Sequence, residues 1–347
     1  MSEKKEKKKK STREKVILIM QILFALVFVV SVSVILYERV LLPSEVDSAF
    51  ATIEEELEEF INADVDSLVT SEDTNESSVS TESTADNKET NTALIKNREN
   101  LPAALKKLQN KYPDLVGWIK IDNTIVNFPV MQSAKDKPDY YLRRDYLGNY
   151  SKYGSIYVDS ESDLESDLQI LYGHSMSDKR MFYCLLDLAD TENLKKSPVV
   201  QFDTVDGTAD YKIVSIFKTN TRYSHGMPFN YLKYEFKSTE DKMQFIYDCM
   251  LRSVVDTGVD IDDEDEFILL STCSYEFEDF RTGVLCRKVR ENEESTVDTS
   301  LIKENETPLY PDVWYETYGG QRPKMPSSFE DAVKENSVDW YIGDLYR

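Results

Sequence analysis

The 347-residue chain has little of what most reactive sites are built from: two histidines and four cysteines. Cys184, Cys249, Cys273 and Cys286 are irregularly spaced in a chain too large to be a small disulfide scaffold, and none of them forms a Cys-x-x-Cys metal pattern. At least one is therefore available as a nucleophile. Positive charge is scarce as well. Lysine and arginine total 41 against 64 acids, a net of −23, and the imbalance deepens once the basic N-terminus is set aside. Phosphate binding needs a concentrated basic surface, so this balance argues against a nucleic-acid partner. It also keeps the acidic part soluble and off anionic lipid. No internal repeat is visible.

What is present begins with a long uncharged run at residues 16–37. As a helix it would span roughly 33 Å, enough for a hydrocarbon core of about 30 Å. Lys4, Lys5, Lys7, Lys8, Lys9, Lys10, Arg13 and Lys15 precede it, which by the positive-inside rule keeps the N-terminus cytoplasmic and exports the rest. The run is long for a cleaved signal peptide and no small-residue cleavage site follows Tyr37, so an uncleaved signal anchor is expected. Phe50, Ile53, Leu57, Phe60 and Ile61 then recur at helical spacing, predicting a stalk helix. Residues 71–92 are mostly Ser, Thr, Glu, Asp and Asn, too polar to offset their ordering entropy, and read as a disordered tether.

Order returns near Leu94. Leu101, Leu105 and Leu108 predict a helix with Asn100 at its N-cap and Pro102 in its first turn. Strands are expected at 118–121, 124–130, 155–159, 169–172, 199–202, 211–218, 267–272 and 284–289, with turns at Asp122-Asn123 and Asp206-Gly207. Helices are expected at 181–189 and at 238–255, the latter opening on a Ser-x-x-Asp cap and burying Met243, Ile246, Met250 and Val254. Eight short strands with few helices predict a mostly β fold and a closed or nearly closed barrel. Residues 291–347 are acidic yet carry Trp314, Trp340 and several tyrosines, so part of this tail should dock on the barrel. The acidic stretch at 256–266 fails as a calcium loop: counted from Asp260, position six is Asp265 and position twelve Ser271. It reads as a solvated acidic loop.

The chemistry concentrates at two strand ends. In "FILLSTCSYEFEDFR", Cys273 stands where an apolar strand leaves the core. A structural thiol filling a small gap is the bland alternative. A nucleophilic cysteine needs a base or cationic partner. His174, in "LQILYGHSM", stands at the same strand-to-loop position, whereas His225 lies in a polar Gly/Pro loop. Arg281 would stabilise an oxyanion with fixed donors that lysine cannot copy, the alternative being a surface residue paired with Glu276, Glu278 or Asp279. Cys184, Cys249 and Cys286 read as structural.

"LLSTCSYEFEDFR" resembles the Leu-Ser-Thr-Cys…Arg signature of the sortases, and "LYGHSM…MF" their histidine motif. "DLVGWIKIDNTIVNFPVMQS" followed by "YYLRRDYLGNYSKYGSIYVD" is similar to the start of the barrel in class B sortases, which the long helix before the cysteine strand also fits. The likeness covers roughly residues 101–289; the tail borrows nothing from it. The resemblance implies a sortase-like barrel of about eight strands with N-terminal helices. It implies a cysteine transpeptidase with catalytic residues His174, Cys273 and Arg281 and no cofactor. Its partners would be exported proteins bearing a C-terminal sorting signal and an acceptor amine on peptidoglycan or a pilin lysine. The expected organisation is a basic cytoplasmic tail (1–15), transmembrane anchor (16–37), stalk and tether (38–93), catalytic domain (94–290) and acidic aromatic extension (291–347). The enzyme would sit in the cell membrane with its catalytic domain outside. A membrane-tethered binding protein on the same barrel is the rival class; it accounts better for the tail but leaves Cys273, His174 and Arg281 as coincidence.

Overall fold

The computed structural model describes residues 12–69 and 98–346. The lysine-rich residues before Thr12 and the tether at 71–92 lie outside the described residues. The chain divides into two units, one ending at Glu55 and one beginning at Glu56.

In the first unit, α1 (Thr12–Leu36) carries the uncharged run with its apolar side chains exposed. A π-helical turn (Tyr37–Leu41) leads into α2 (Leu42–Val69), which contains the predicted stalk helix and continues past Glu55 into the second unit. Among the described residues this continuous helix is the one long and apolar enough to cross a membrane.

In the second unit, α3 (Leu101–Lys111) buries Leu101, Ala104, Leu105 and Leu108, with Pro102 in its first turn where the missing N–H costs nothing. Lys111 at its end pairs with Glu56 at 2.8 Å. Eight strands follow: β1 (Leu115–Lys120), β2 (Asn127–Gln132), β3 (Ile156–Val158), β4 (Leu168–Tyr172), β5 (Val199–Thr204), β6 (Asp210–Asn220), β8 (Phe267–Ser274) and β9 (Phe280–Lys288). They close in the order β1-β2-β3-β4-β8-β9-β6-β5, with β5 returning to β1. Closure leaves none of these strands with an unpaired edge. The β2–β3 and β4–β8 pairs are parallel and the others antiparallel. All eight expected strands are present.

Helical boundaries differ more. The 181–189 segment holds only a short α4 (Cys184–Asp187), followed by α5 (Thr191–Leu194), which Asp190 caps. The long helix, α6 (Thr239–Leu251), starts as expected, with Ser238 Oγ accepting from the Asp241 N–H. It stops four residues short of Val255, because Val254 N–H bonds to the Ile216 carbonyl of β6 and the chain turns into β7 (Val255–Asp256). Met250 and Val254 are consequently half-buried, while Phe245, Tyr247 and Cys249 join Met243 and Ile246 in the core.

The tail packs on this side of the barrel. After a 3-10 turn (Thr299–Leu301), β10 (Lys303–Glu304) pairs with β7. α7 (Asp312–Tyr318) and α8 (Phe329–Lys334) follow, and Phe329, Ala332, Val338 and Tyr341 enter the same apolar cluster as α6. The acidic loop departs from its expectation at two positions. Asp265 is buried and accepts two hydrogen bonds from Arg290, both at 2.7 Å, while Asp263 binds the Tyr341 hydroxyl and the Asp344 and Leu345 N–H groups. Asp265 thus holds Arg290 just before the tail and Asp263 fastens the tail itself, while Glu264 and Glu266 remain exposed as expected of a solvated loop. Nearby, Glu293 grips the fully buried Arg287 through two hydrogen bonds, which hold its carboxyl well below the usual range. No acid, histidine or cysteine cluster among the described residues could hold a metal.

Candidate active site

Cys273 is the penultimate residue of β8, and in the antiparallel β8–β9 pair it stands directly opposite Arg281. Residues opposite each other in such a pair present side chains on one face, with Cβ atoms about 4.5–5.5 Å apart. On the other flank β4 runs parallel to β8, its last pair being Tyr172 with Ser271. The Gly173 N–H still bonds to the Ser271 carbonyl at 3.3 Å, which holds the exit of β4 toward His174 against the cysteine strand. Cys273 and Arg281 therefore face each other in register, and His174 follows two residues after the end of β4. All three line a cleft of about 440 Å³ walled by Leu142, Tyr157, Tyr172, Tyr231 and Leu232.

Each member is held by its surroundings. His174 Nε2 donates to the Leu142 carbonyl at 2.7 Å. A carbonyl only accepts, so Nε2 carries the proton in this arrangement and Nδ1 is the nitrogen left to gain or release one. Burial lowers the histidine's affinity for a second proton, and the positive charge of Arg143 lowers it further, against the opposing pull of the Leu142 carbonyl. Gly173 is required by close packing: a Cβ there would meet Ile156 Cδ1 at 2.5 Å and Phe182 Cδ2 at 2.6 Å. Arg281 is half-buried and donates to the Phe280 carbonyl at 2.9 Å, rather than to Glu276, Glu278 or Asp279. Those acids have other partners: Glu276 pairs with Lys218, and Glu278 and Asp279 with Arg222.

Cys273 is the one cysteine that is not buried. Burial pushes the Cys184 thiol up to about 12 and raises those of Cys249 and Cys286 as well, which suits inert packing groups. His225 stands apart from the cleft lining. Its ring packs on Phe277 and Phe280, and its buried Nδ1 has no hydrogen-bond partner among the described residues.

Several contributors carry no signal in the sequence. Thr272 Oγ1 donates to the Gly173 carbonyl at 2.7 Å, and the Tyr275 hydroxyl donates to the Ser175 carbonyl. Together they fasten the cysteine strand to both sides of His174. The Tyr231 hydroxyl shares a 3.0 Å hydrogen bond with Ser271 Oγ at the cleft wall. Leu142 acts through its backbone, so its side chain could not have announced it.

The chain is 31% identical over 180 residues to sortase B of Staphylococcus aureus, a span covering 51% of this chain and 70% of that protein. Against sortase B of Listeria monocytogenes it is 32% identical over 181 residues, 52% and 70% of the two chains. Among solved structures, a Staphylococcus aureus sortase B–substrate complex aligns with a TM-score of 0.51 at 27% identity, covering 58% of this chain and 92% of the other. A sortase B complexed with triglycine aligns with the same score and identity over 58% and 93%. No family model matches the chain.

Proposed function

The chain belongs to the sortase B family of cysteine transpeptidases, and on that premise we propose that His174, Cys273 and Arg281 are its catalytic residues. The observation that carries this reading is the single cleft in which Cys273 of β8 faces Arg281 of β9 in register and which His174 also lines.

The Cys273 thiolate attacks a threonine carbonyl in the sorting signal of an exported protein. Negative charge then develops on the carbonyl oxygen, where the Arg281 guanidinium opposes it. As the C–N bond breaks, His174 gives a proton to the departing amine, leaving a thioester on Cys273. An incoming amine adds to the thioester, His174 takes its proton, and the thiolate leaves. A low proton affinity at His174 suits this exchange, because the imidazolium then releases its proton readily.

The acceptor we favour is an amine of peptidoglycan, since a family member has been crystallised with triglycine; a pilin lysine is the alternative. α1 anchors the enzyme in the cell membrane with its N-terminus inside and its catalytic domain outside. The test of the chemistry is mass spectrometry of the protein with a signal peptide and no amine. An acyl adduct on Cys273 that triglycine discharges is expected. An adduct on another cysteine would defeat the assignment, and discharge by a lysine amine alone would favour pilus assembly.

A further inference from the structure

We infer that Trp314, on the tail helix α7, is a positioning residue for Arg281, so that the extension beyond the barrel forms part of the catalytic apparatus. This rests on the proposed role of Arg281.

A tight turn joins the cysteine and arginine strands. It runs through Glu276, Phe277, Glu278 and Asp279 and ends with Asp279 at φ 60°, a left-handed conformation that aspartate enters more readily than most non-glycine residues. One flank is fastened by Thr221 and Arg222. Thr221 Oγ1 donates to the Asp279 carbonyl at 2.9 Å, and Arg222 binds the Asp279 and Glu278 carboxylates at 2.6–2.8 Å. These contacts are exposed, and exposed ion pairs contribute little rigidity.

The other flank is aromatic and belongs to the tail. Trp314 lies flat on Tyr310 at 3.9 Å between centroids, and both Trp314 and Tyr318 meet Phe277 edge-on, at 6.1 and 5.7 Å. Phe277 in turn packs on the fully buried Phe280 at 4.9 Å. The Phe280 carbonyl accepts the hydrogen bond from Arg281. The tail helix therefore reaches the Arg281 guanidinium through two rings and one carbonyl. It also holds the loop that carries the first clamp: Val313 N–H donates to the His225 carbonyl, and Asp312 lies against Gly226 where a Cβ would approach it to 2.6 Å. The helix thus supports both segments that set the arginine side of the cleft.

The second half of the tail has a different place. Trp340 stacks near Phe329 on the α6 side of the core, and among the described residues its ring contacts are with Phe329 and Tyr341 rather than with the turn. This contrast supplies the control. In the full chain, Trp314→Ala should speed amide exchange of residues 276–281. It should also lower turnover of a quenched fluorescent peptide, chosen from a fixed-threonine library for fastest cleavage by wild type, by about 10- to 100-fold with little change in KM. Trp314→Phe, which keeps a ring on Phe277, should restore most of both. Trp340→Ala should lower the melting temperature while leaving turnover and turn exchange near wild type. The inference is overturned if Trp314→Ala leaves exchange at 276–281 unchanged. It is equally overturned if turnover falls in both tryptophan variants in proportion to lost stability. If wild type cleaves no peptide, the proposed function fails, and the exchange measurement still decides whether the turn is braced.

Discussion

Replacing Gly173 by alanine tests the idea that close packing sets the position of His174. The backbone at Gly173 is not left-handed, so the penalty is steric. The added methyl would lie 2.5 Å from Ile156 Cδ1 and 2.6 Å from Phe182 Cδ2, where apolar carbons ordinarily keep ~3.5–4.0 Å. Ile156 and Phe182 are both fully buried, so neither can swing away into solvent. Overpacking of this kind costs about 1–3 kcal/mol. Part of the strain should be relieved by moving the 173–175 backbone, which carries His174 and accepts hydrogen bonds from Thr272 and Tyr275. A shift of an ångström there would lower turnover by up to ~100-fold. Urea unfolding followed by tryptophan emission measures the first effect and peptide turnover the second. Ile156→Val removes one clashing carbon and by itself costs about 0.5–1.5 kcal/mol. Combined with Gly173→Ala it should be less harmful than the sum of the two, although Phe182 still prevents full recovery. A Gly173→Ala protein as stable and active as wild type, or strict additivity in the double variant, would refute the packing argument.

Three further outcomes are expected. Arg281→Lys should be nearly as damaging as Arg281→Ala, about a hundred- to a thousand-fold in turnover with substrate still bound, because an ammonium cannot reproduce the guanidinium's planar donors; full activity in the lysine variant would show that charge alone suffices. His174→Ala should abolish transpeptidation while His225→Ala keeps appreciable activity, since His225 packs among rings outside the cleft lining; equal loss in a transpeptidation assay would remove the basis for choosing between them. Arg143→Gln should raise the proton affinity of His174 by deleting a repelling charge, moving the histidine-dependent limb of the pH–rate profile upward, more at low salt than at high. A downward shift would contradict that sign. The same depression makes the folded state bind this proton less readily than the unfolded chain, so its contribution to stability falls as pH drops below the ordinary histidine value of 6.5.

Much of the barrel was legible because its strands are short apolar runs bounded by turn residues, and those patterns are local. Ser238 and Asp241 likewise announced the start of α6. Its end was not legible. Val254 continues the helical apolar pattern, but a hydrogen bond to Ile216 in β6, far away in sequence, takes its N–H. The acidic loop misled for a related reason. Its run of carboxylates looks solvated until Arg290 and Tyr341 fold back to meet Asp265 and Asp263.

At the site, Cys273 and His174 could be picked out from sequence because each is a rare residue at the end of an apolar run, and Arg281 through its place in the sortase-like motif. What joins them could not. They share a cleft only because β4 pairs parallel with β8 while β9 pairs antiparallel on the other side, and register between distant strands is a property of the closed barrel. The fastening by Thr272 and Tyr275, the Leu142 carbonyl under His174 and the aromatic support from Trp314 are likewise contacts between segments remote in the chain. Sequence determined which groups could do chemistry, through local pattern and side-chain identity. Tertiary structure decided which of them face one another, because hydrogen-bond register and ring packing depend on segments that meet only after folding.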